Sequence, residues 1–144
     1  MAIWHELIDL DSLNAYQQDT LVSRLGIRYT EIGEDWLKAS MPVDARTKQP
    51  AGILHGGASV ALAETLGSTG ANLVVDRKAK LCVGLEINAN HIRAMREGEV
   101  TGVARPLHVG GTTQVWEIRI SDAAERLVCV SRITLAVLDR AAMG

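Results

Sequence analysis

One carboxylate, Glu64, lies within a long run of small and apolar residues that the sequence predicts to be helical. Val60, Leu62 and Leu66 surround it, and a charged group in such a setting loses the hydration that stabilises it. Desolvation also makes a carboxylate a better proton acceptor near neutral pH, which suits a general base. The same group could instead attack an electrophilic carbonyl and form an anhydride. Glu64 is therefore the first candidate for a catalytic residue, as general base or as nucleophile.

The start of the same helix offers a candidate site for a developing negative charge. His55 and Gly56 lie where a loop, punctuated by Pro50 and Gly52, becomes helix. The first N–H groups of a helix have no partner within it, and the helix dipole makes that end positive. An amide at this position is suited to stabilise an oxyanion.

Ser68 lies four residues after Glu64 and hence on the same face of the predicted helix. Its hydroxyl could hold an attacking water or the carboxylate, but it could equally bond back to a helix carbonyl. Structural interpretations compete at the other positions too: a buried glutamate with a polar neighbour, a histidine satisfied in its loop, a glycine in a tight turn. The residue types alone leave these alternatives open.

The composition excludes several classes of protein. A chain of 144 residues is predicted to form one domain, residues 1–144. The formal net charge of −2 and the scarcity of aromatic residues argue against a nucleic-acid partner. The lack of a long apolar run and of a secretory signal predicts a cytoplasmic protein without a membrane span. Cys82 and Cys129 are isolated and predicted to be buried free thiols, and no cluster has the spacing of metal ligands.

The hydrophobic periodicity predicts an α+β fold. In chain order, the predicted elements are a helix over 11–25 capped by Asp11 or Ser12, strands over 27–32 and 36–43, a helix over 57–75, and strands over 81–91, 98–105, 113–121 and 126–138. Residues 106–112 are predicted to form a turn. In the strand over 81–91, the odd-numbered residues are apolar and share one face. Short connections indicate an antiparallel sheet, covered on one face by the long helix. The many Gly and Ala residues of that helix, and the apolar surface left exposed, predict at least a dimer.

Four segments carry a resemblance to a known family. MPVDARTKQPAGILHGGASVALAETLGS, VGLEINANHIRAMREG, PLHVG and QVWEIRI together resemble the hotdog-fold acyl-CoA thioesterases. The glutamate seven residues after the second glycine is similar to that of the glutamate-type branch of 4-hydroxybenzoyl-CoA thioesterase. Within the branch, the chain resembles hydrolases of 1,4-dihydroxy-2-naphthoyl-CoA and proofreading thioesterases that clear misloaded aryl groups from the enterobactin carrier protein.

The resemblance implies both architecture and chemistry. The implied hotdog fold wraps an antiparallel sheet around a long central helix, pairs into a homodimer with a continuous sheet, and usually assembles into a homotetramer. The substrate would be an acyl-CoA, or an acyl or aryl group on a carrier protein, and no cofactor is implied because CoA is part of the substrate. A place in menaquinone biosynthesis would follow if the acyl group is the naphthoyl group.

The family pattern also assigns roles to individual residues. Glu64 would act as general base or nucleophile, and the Gly56 amide as the oxyanion donor. Gln49 would bind the carbonyl oxygen, His55 would orient or polarise the thioester, and Ser68 would hold the water or the carboxylate. In the family, the glutamate and serine come from one subunit and the glutamine and histidine from its partner, so the site would exist only in the dimer.

A second set of residues would bind CoA. By resemblance, the residues that approach the pantetheine arm and the nucleotide are Gly84, His91, Ile92, Arg93, Ala94, His108, Val109, Gly110, Gly111, Thr112 and Thr113. Arg96 and Arg105 add positive charge nearby in sequence, as the phosphates of CoA require. A solvated charged rim is the alternative for any single arginine.

Two other functions compete with thioester hydrolysis. A hotdog enoyl-CoA hydratase or acyl dehydratase would use a histidine and an acidic residue to move protons, and both residue types are present. A non-catalytic acyl-CoA binder is the second alternative, although such sensors usually carry an added DNA-binding segment. The spacing of Glu64 from the two glycines matches the hydrolases better.

Overall fold

A computed structural model describes residues 1–143 of the chain. The helices are α1 Leu10–Tyr16, α2 Leu21–Arg24 and α3 Gly56–Val74, and a 3₁₀ helix spans Arg140–Met143. The strands are β1 Arg28–Ile32, β2 Leu37–Pro42, β3 Lys80–His91, β4 Glu99–Val109, β5 Thr113–Ser121 and β6 Leu127–Asp139. No helix in this part of the chain is both long and apolar enough to cross a membrane.

The six strands form one antiparallel sheet in the order β1-β2-β4-β5-β6-β3. Helix α3 packs against one face and contacts β2, β3, β4, β5 and β6. The predicted α+β class, the first hairpin and the long helix are therefore confirmed. The order leaves β3 at an edge, so one side of its backbone has no partner strand within the described chain.

Glycines on α3 allow it to approach the sheet closely. A Cβ on Gly70 would lie 2.8 Å from the ring of Trp116, and one on Gly67 would lie 2.5 Å from Ile133 Cγ2. Trp116 is fully buried, and its Nε1 donates to Gln114 Oε1 at 2.8 Å. The helix therefore packs against an indole whose position is fixed from the sheet side.

We expect Gly70→Ala to lower the free energy of unfolding by about 1–2 kcal/mol, because overpacking outweighs the gain in helix propensity. Urea denaturation monitored by far-UV circular dichroism measures the change. Gly111→Ala is the matched control, since nothing lies within 4 Å of a Cβ at that position. A stabilised Gly70→Ala variant would contradict the close packing of α3 on the sheet.

The predicted helix over 11–25 is wrong in its middle. Asp19 has a φ of +59°, in the left-handed region, so the chain leaves the helix after α1 and starts again at α2. The cap is also wrong: Asp9, rather than Asp11 or Ser12, precedes the helix, and its side chain accepts a hydrogen bond from the Ser12 N–H at 2.7 Å.

The predicted turn over 106–112 is wrong in its first half, because β4 continues through Pro106 to Val109. Proline removes a ladder donor, but the strand tolerates it beside a bulge. Pro106 is opposite Trp116 and His108 is opposite Val115, so Leu107 is the extra residue. The turn itself begins at Gly110.

A second bulge corrects the predicted face of β3. Gly84 is opposite Leu135 and Glu86 is opposite Thr134, so Leu85 is an extra residue in the strand. Before the bulge the even-numbered residues face α3, as the burial of Cys82 shows; after it the odd-numbered Ile87 does. The predicted single apolar face is therefore split, and Leu85 is 63% exposed.

The N-terminal segment closes the end of the sheet near the C-terminus of α3. The Ile3 N–H donates to Glu34 O, and the His5 N–H donates to Leu73 O at 2.8 Å. The ring of Trp4 stacks on Trp116 with a centroid distance of 6.3 Å. The segment therefore covers the indole at the centre of the core and satisfies a carbonyl in the last turn of α3.

Candidate active site

The N-terminus of α3 is capped by His55. Its Nδ1 accepts a hydrogen bond from the Gly57 N–H at 2.7 Å, and its carbonyl accepts from the Ala58 N–H. In the neutral ring, Nε2 then carries the hydrogen. Helix α3 begins at Gly56, one residue before the predicted start, and within residues 1–143 the Gly56 N–H donates to no acceptor. The amide that we predicted as an oxyanion donor is thus the one left free by the cap.

A cleft of about 330 Å³, here called the amide cleft, opens beside this amide. It is lined by Gln49, Ile53, Leu54, Gly56, Ser59, His91, Ile92, Arg93, Ala94 and Val128. The Gln49 Oε1 accepts from the Ala51 N–H, which leaves the Nε2 hydrogens of the side chain as donors. His91 packs directly on the helix start, because a Cβ on Gly56 would lie 2.9 Å from its Nε2. The structure therefore brings together Gln49, Gly56 and the predicted CoA segment 91–94.

The predicted base lies elsewhere on α3. A second cleft, also of about 330 Å³ and here called the glutamate cleft, is lined by Gln17, Leu21, Val22, Ala61, Glu64, Thr65, Ser68 and Thr69. The Glu64 carboxylate lies over β3, since a Cβ on Gly84 would be 2.9 Å from Glu64 Oε2. Any side chain at Gly84 would meet that carboxylate. Within residues 1–143 the Ser68 hydroxyl makes no hydrogen bond, so it does not bond back to a helix carbonyl.

Glu64 is exposed in the single chain, so the prediction that it lies buried in an apolar environment is wrong for one protomer. The apolar residues around it in sequence face the sheet: Leu62, Ala63 and Leu66 are fully buried. Glu64 itself is on the face of α3 that the sheet does not cover. Any desolvation of this carboxylate must come from a group outside the single chain.

One protomer does not bring the predicted catalytic residues into a single site. Gly56 and Glu64 are eight residues apart on α3, which corresponds to about 12 Å along the helix axis. Gln49 and Gly56 line the amide cleft, whereas Glu64 and Ser68 line the glutamate cleft. His55 lines neither of them and borders a third surface pocket with Leu21 and Ala61.

The predicted CoA residues are separated in the same way. His91 pairs with Cys129 of β6, whereas Thr113 pairs with Ala136 of β6. Seven residues of extended strand separate those two positions, about 23 Å. The segment 91–94 and the hairpin 108–113 therefore lie at opposite ends of the sheet, and Gly84, opposite Leu135, lies at the hairpin end.

The thiols are remote from this chemistry. Cys82 and Cys129 are buried and free, as predicted, and burial raises the pKa of both groups above its ordinary value. Neither lines the two clefts. A protonated, buried thiol is a poor nucleophile, so these residues are part of the core.

Two arginines at and beside the amide cleft form no ion pairs within residues 1–143. Arg93 lines the cleft and Arg96 follows it in the same loop; within the described residues neither makes an ion pair. Arg105, by contrast, pairs with Asp35 at 3.2 Å and lies over the Trp36 ring. No group of three or more His, Cys, Asp or Glu residues in the described chain could hold a metal ion.

Sequence reasoning missed several residues near Glu64. Gln17, Leu21 and Val22 line the glutamate cleft; Gln17 lies in the connection that follows α1, and Leu21 and Val22 lie on α2. The corresponding segment was predicted as one continuous helix, which would not have directed these residues at α3. The positive φ of Asp19 creates the break, and a lone aspartate in a polar segment gives little sequence signal for it.

Comparison with known proteins agrees with this architecture. Residues 51–129 match the model of the thioesterase superfamily. The chain belongs to this family. The 1,4-dihydroxy-2-naphthoyl-CoA hydrolase of Escherichia coli is 54% identical over 136 residues, which cover 94% of this chain and 99% of that relative. The proofreading thioesterase EntH of Cronobacter turicensis is 52% identical over 136 residues, 94% of this chain and 98% of the relative.

A solved structure supports the same assignment. A thioesterase from Haemophilus influenzae superposes with a TM-score of 0.93 at 49% identity, covering 95% of each chain. The fold of the present thioesterase is accordingly the hotdog fold, as the resemblance implied, and the chain is an acyl-CoA thioesterase of that superfamily.

Proposed function

We propose that this thioesterase hydrolyses aryl acyl-CoA thioesters at a site completed by a second copy of the chain. Glu64 acts as the general base and the Gly56 amide as the oxyanion donor. The observation that carries the proposal is the division of the machinery: a free helix amide with Gln49 in one cleft, and an exposed carboxylate with a free serine hydroxyl in another.

The free edge of β3 offers a way to unite the two clefts. Antiparallel pairing of two β3 edges about a twofold axis near Ile87 would place the partner's His91 beside Gly84. Because Gly56 lies next to His91 and the Glu64 carboxylate lies next to Gly84, this pairing would also bring the partner's Gly56 amide close to Glu64. The same pairing would bring the partner's segment 91–94 to the hairpin 108–113, reuniting the CoA residues. The exposed Leu85 would also be covered.

In the proposed reaction, Glu64 takes a proton from a water molecule held by Ser68. The water oxygen attacks the thioester carbonyl carbon, and the resulting oxyanion accepts hydrogen bonds from the partner's Gly56 amide and the partner's Gln49 side chain. Collapse of the intermediate breaks the C–S bond. The proton held by Glu64 passes to the departing CoA thiolate, and the acyl group is released as the free acid. Residues and water supply every step, so we propose that the enzyme needs no cofactor.

Direct attack by Glu64, with an anhydride intermediate, is the alternative route. Single-turnover hydrolysis in ¹⁸O-labelled water separates the two. A general base puts the label into the acid in the first turnover, whereas an anhydride cleaved at the enzyme carbonyl first puts label into Glu64.

The proposed preference for an aromatic acyl group comes from the relative that is named for hydrolysis of 1,4-dihydroxy-2-naphthoyl-CoA. A second relative is named as a proofreading thioesterase. We infer a CoA ester rather than a carrier-bound group as the main substrate, because Arg93, unpaired within residues 1–143, lines the amide cleft, where CoA phosphates would lie, and Arg96 follows it in the same loop. The naphthoyl-CoA ester of menaquinone biosynthesis is one member of the proposed substrate class. We also propose that two dimers assemble into a homotetramer.

Thiol release tests the proposal directly. The wild-type enzyme should release CoA from benzoyl-CoA and 2-naphthoyl-CoA, detected with a chromogenic thiol reagent, and should not hydrate crotonyl-CoA in a parallel ultraviolet assay. Aryl thioesters of a carrier protein, assayed at the same concentrations, show whether CoA or the carrier protein is the preferred thiol component of the substrate. Hydration of crotonyl-CoA without thiol release would overturn the hydrolytic assignment. Binding of acyl-CoA without either reaction would identify a non-catalytic binder.

A further inference from the structure

Another cavity, distinct from the pocket beside His55, continues the glutamate cleft toward the C-terminus of α3. It has a volume of about 260 Å³ and shares Gln17, Ser68 and Thr69 with the glutamate cleft. Beyond these shared residues, its walls are Leu13, Leu73 and Leu81, and its rim carries Tyr16, Arg77 and Arg140. We call it the distal cavity. A group that enters past Ser68 would thus meet apolar walls first and guanidinium groups last.

The size suits an aromatic acyl group. A cavity of about 150 Å³ lined by aliphatic side chains holds benzene, and the distal cavity is larger. Helix α3 sets the direction, because Ser68 and Asn72 follow Glu64 at four-residue intervals on one face. The Asn72 side chain donates to Ser68 O at 2.8 Å and Cys82 O at 3.1 Å, so it is committed to the fold and does not block the cavity.

The two arginines at the rim differ in how far they are committed. Arg77 donates from Nε to Glu6 Oε1 at 3.0 Å, which ties it to the N-terminal segment. Arg140 donates from Nε to the Arg77 carbonyl at 2.6 Å, and within residues 1–143 its terminal nitrogens meet no carboxylate. The neighbouring Asp139 is paired with Lys80. Within the described part of the chain, the rim therefore holds the guanidinium groups of Arg77 and Arg140 but only one carboxylate bound to them, that of Glu6, so its net charge is positive.

We propose that the distal cavity binds the acyl group and that Arg140, supported by Arg77, selects acyl groups carrying an anionic substituent at the end remote from the thioester. This rests on the proposed function, since the cavity is entered past Glu64 and Ser68. A dicarboxylic aryl acid linked to CoA through one carboxyl group is the substrate class that fits. Its free carboxylate would accept hydrogen bonds from the open end of the Arg140 guanidinium.

A matched pair of substrates tests the inference. In 4-carboxybenzoyl-CoA the remote group is an anion, and in 4-carbamoylbenzoyl-CoA it is a neutral amide of similar shape. The wild-type enzyme should prefer the carboxylate in kcat/KM by at least about ten-fold. Arg140→Gln should bring the ratio close to one and Arg140→Glu should invert it, with kcat/KM for benzoyl-CoA measured as the reference in each variant. Arg140 is exposed on the terminal 3₁₀ helix, so these variants keep the fold.

The controls separate this inference from the proposed function. Arg119→Gln, on an exposed arginine of β5, should leave every ratio unchanged. Calorimetric binding of non-hydrolysable CoA thioethers that end in a 4-carboxyphenyl or a 4-carbamoylphenyl group measures the same preference without turnover. An unaltered carboxylate preference in Arg140→Gln, or no preference in wild type, would overturn the inference even if benzoyl-CoA is hydrolysed normally. An equal rise in KM for all CoA esters in Arg140→Gln would place a CoA phosphate there instead, and would also overturn it.

Discussion

Glu64→Gln should reduce the kcat for benzoyl-CoA hydrolysis by about 10²–10⁴-fold, the usual contribution of a positioned general base. Glutamine keeps the length and shape of the side chain but cannot accept the proton of the attacking water. The Gly84 position accommodates either side chain, because no Cβ competes with the terminal atoms there. Thiol release measures kcat, and calorimetry with a non-hydrolysable acyl-CoA thioether measures the dissociation constant, which should change little.

Glu31→Gln is the matched control for that variant. Glu31 is exposed on β1, at the edge of the sheet opposite β3, and pairs with Lys38 at 2.8 Å. An exposed ion pair of this kind contributes little to stability, so turnover and folding should both stay near wild type. Turnover of Glu64→Gln within a few-fold of wild type would remove Glu64 from the mechanism, even with the fold and the family unchanged.

Two inactive variants should restore activity to each other when they share a dimer. Gln49→Ala and Glu64→Gln each damage one half of the proposed site. In a mixed dimer, one site combines the intact Gln49 of one copy with the intact Glu64 of the other, and the second site carries both defects. Random mixing should therefore recover about a quarter of wild-type activity per chain from two nearly inactive parents. Co-expression with two different tags, followed by tandem purification, isolates the mixed species.

The control for this experiment mixes Glu64→Gln with Ser68→Ala. Both changes lie in the glutamate cleft, so a mixed dimer contains no intact site and should stay inactive. Equal recovery in both mixtures would mean that Glu64 and Gln49 do not act across a subunit boundary. No recovery in the first mixture would mean that each chain holds a complete site, contrary to the separation of the two clefts.

The sequence predicted the parts of the fold that follow from local pattern. The α+β class, helix α3 and the antiparallel pairing are confirmed, because each rests on a periodicity or on a short connection. The parts that it predicted wrongly depend on single residues that break a pattern. Leu85 shifts the parity of β3, and Leu107 lets β4 pass through a proline, yet both are ordinary apolar residues in sequence.

The candidate site shows a related difference. The start of α3 could be predicted to within one residue, since loop punctuation is local, whereas the cap by His55 was not predicted. The exposure of Glu64 could not be predicted, because apolar neighbours in the sequence do not show which face of a helix packs against the sheet. The distal cavity combines Tyr16, Arg77, Leu81 and Arg140, which lie far apart along the chain and become neighbours only in the folded protein.

The hydrogen bond that His55 accepts at the start of α3 restricts the reactions open to this scaffold. Its Nδ1 electron pair is shared with the Gly57 amide and its Nε2 is already protonated, so the neutral imidazole has no basic nitrogen to spare. Taking a proton from water during olefin hydration, or from a carbon atom in the reverse reaction, would require the ring to release the helix, at a cost of about 1 kcal/mol. The same ring can polarise a carbonyl by donation from Nε2 without disturbing the helix, which keeps acyl transfer to water compatible with an intact fold.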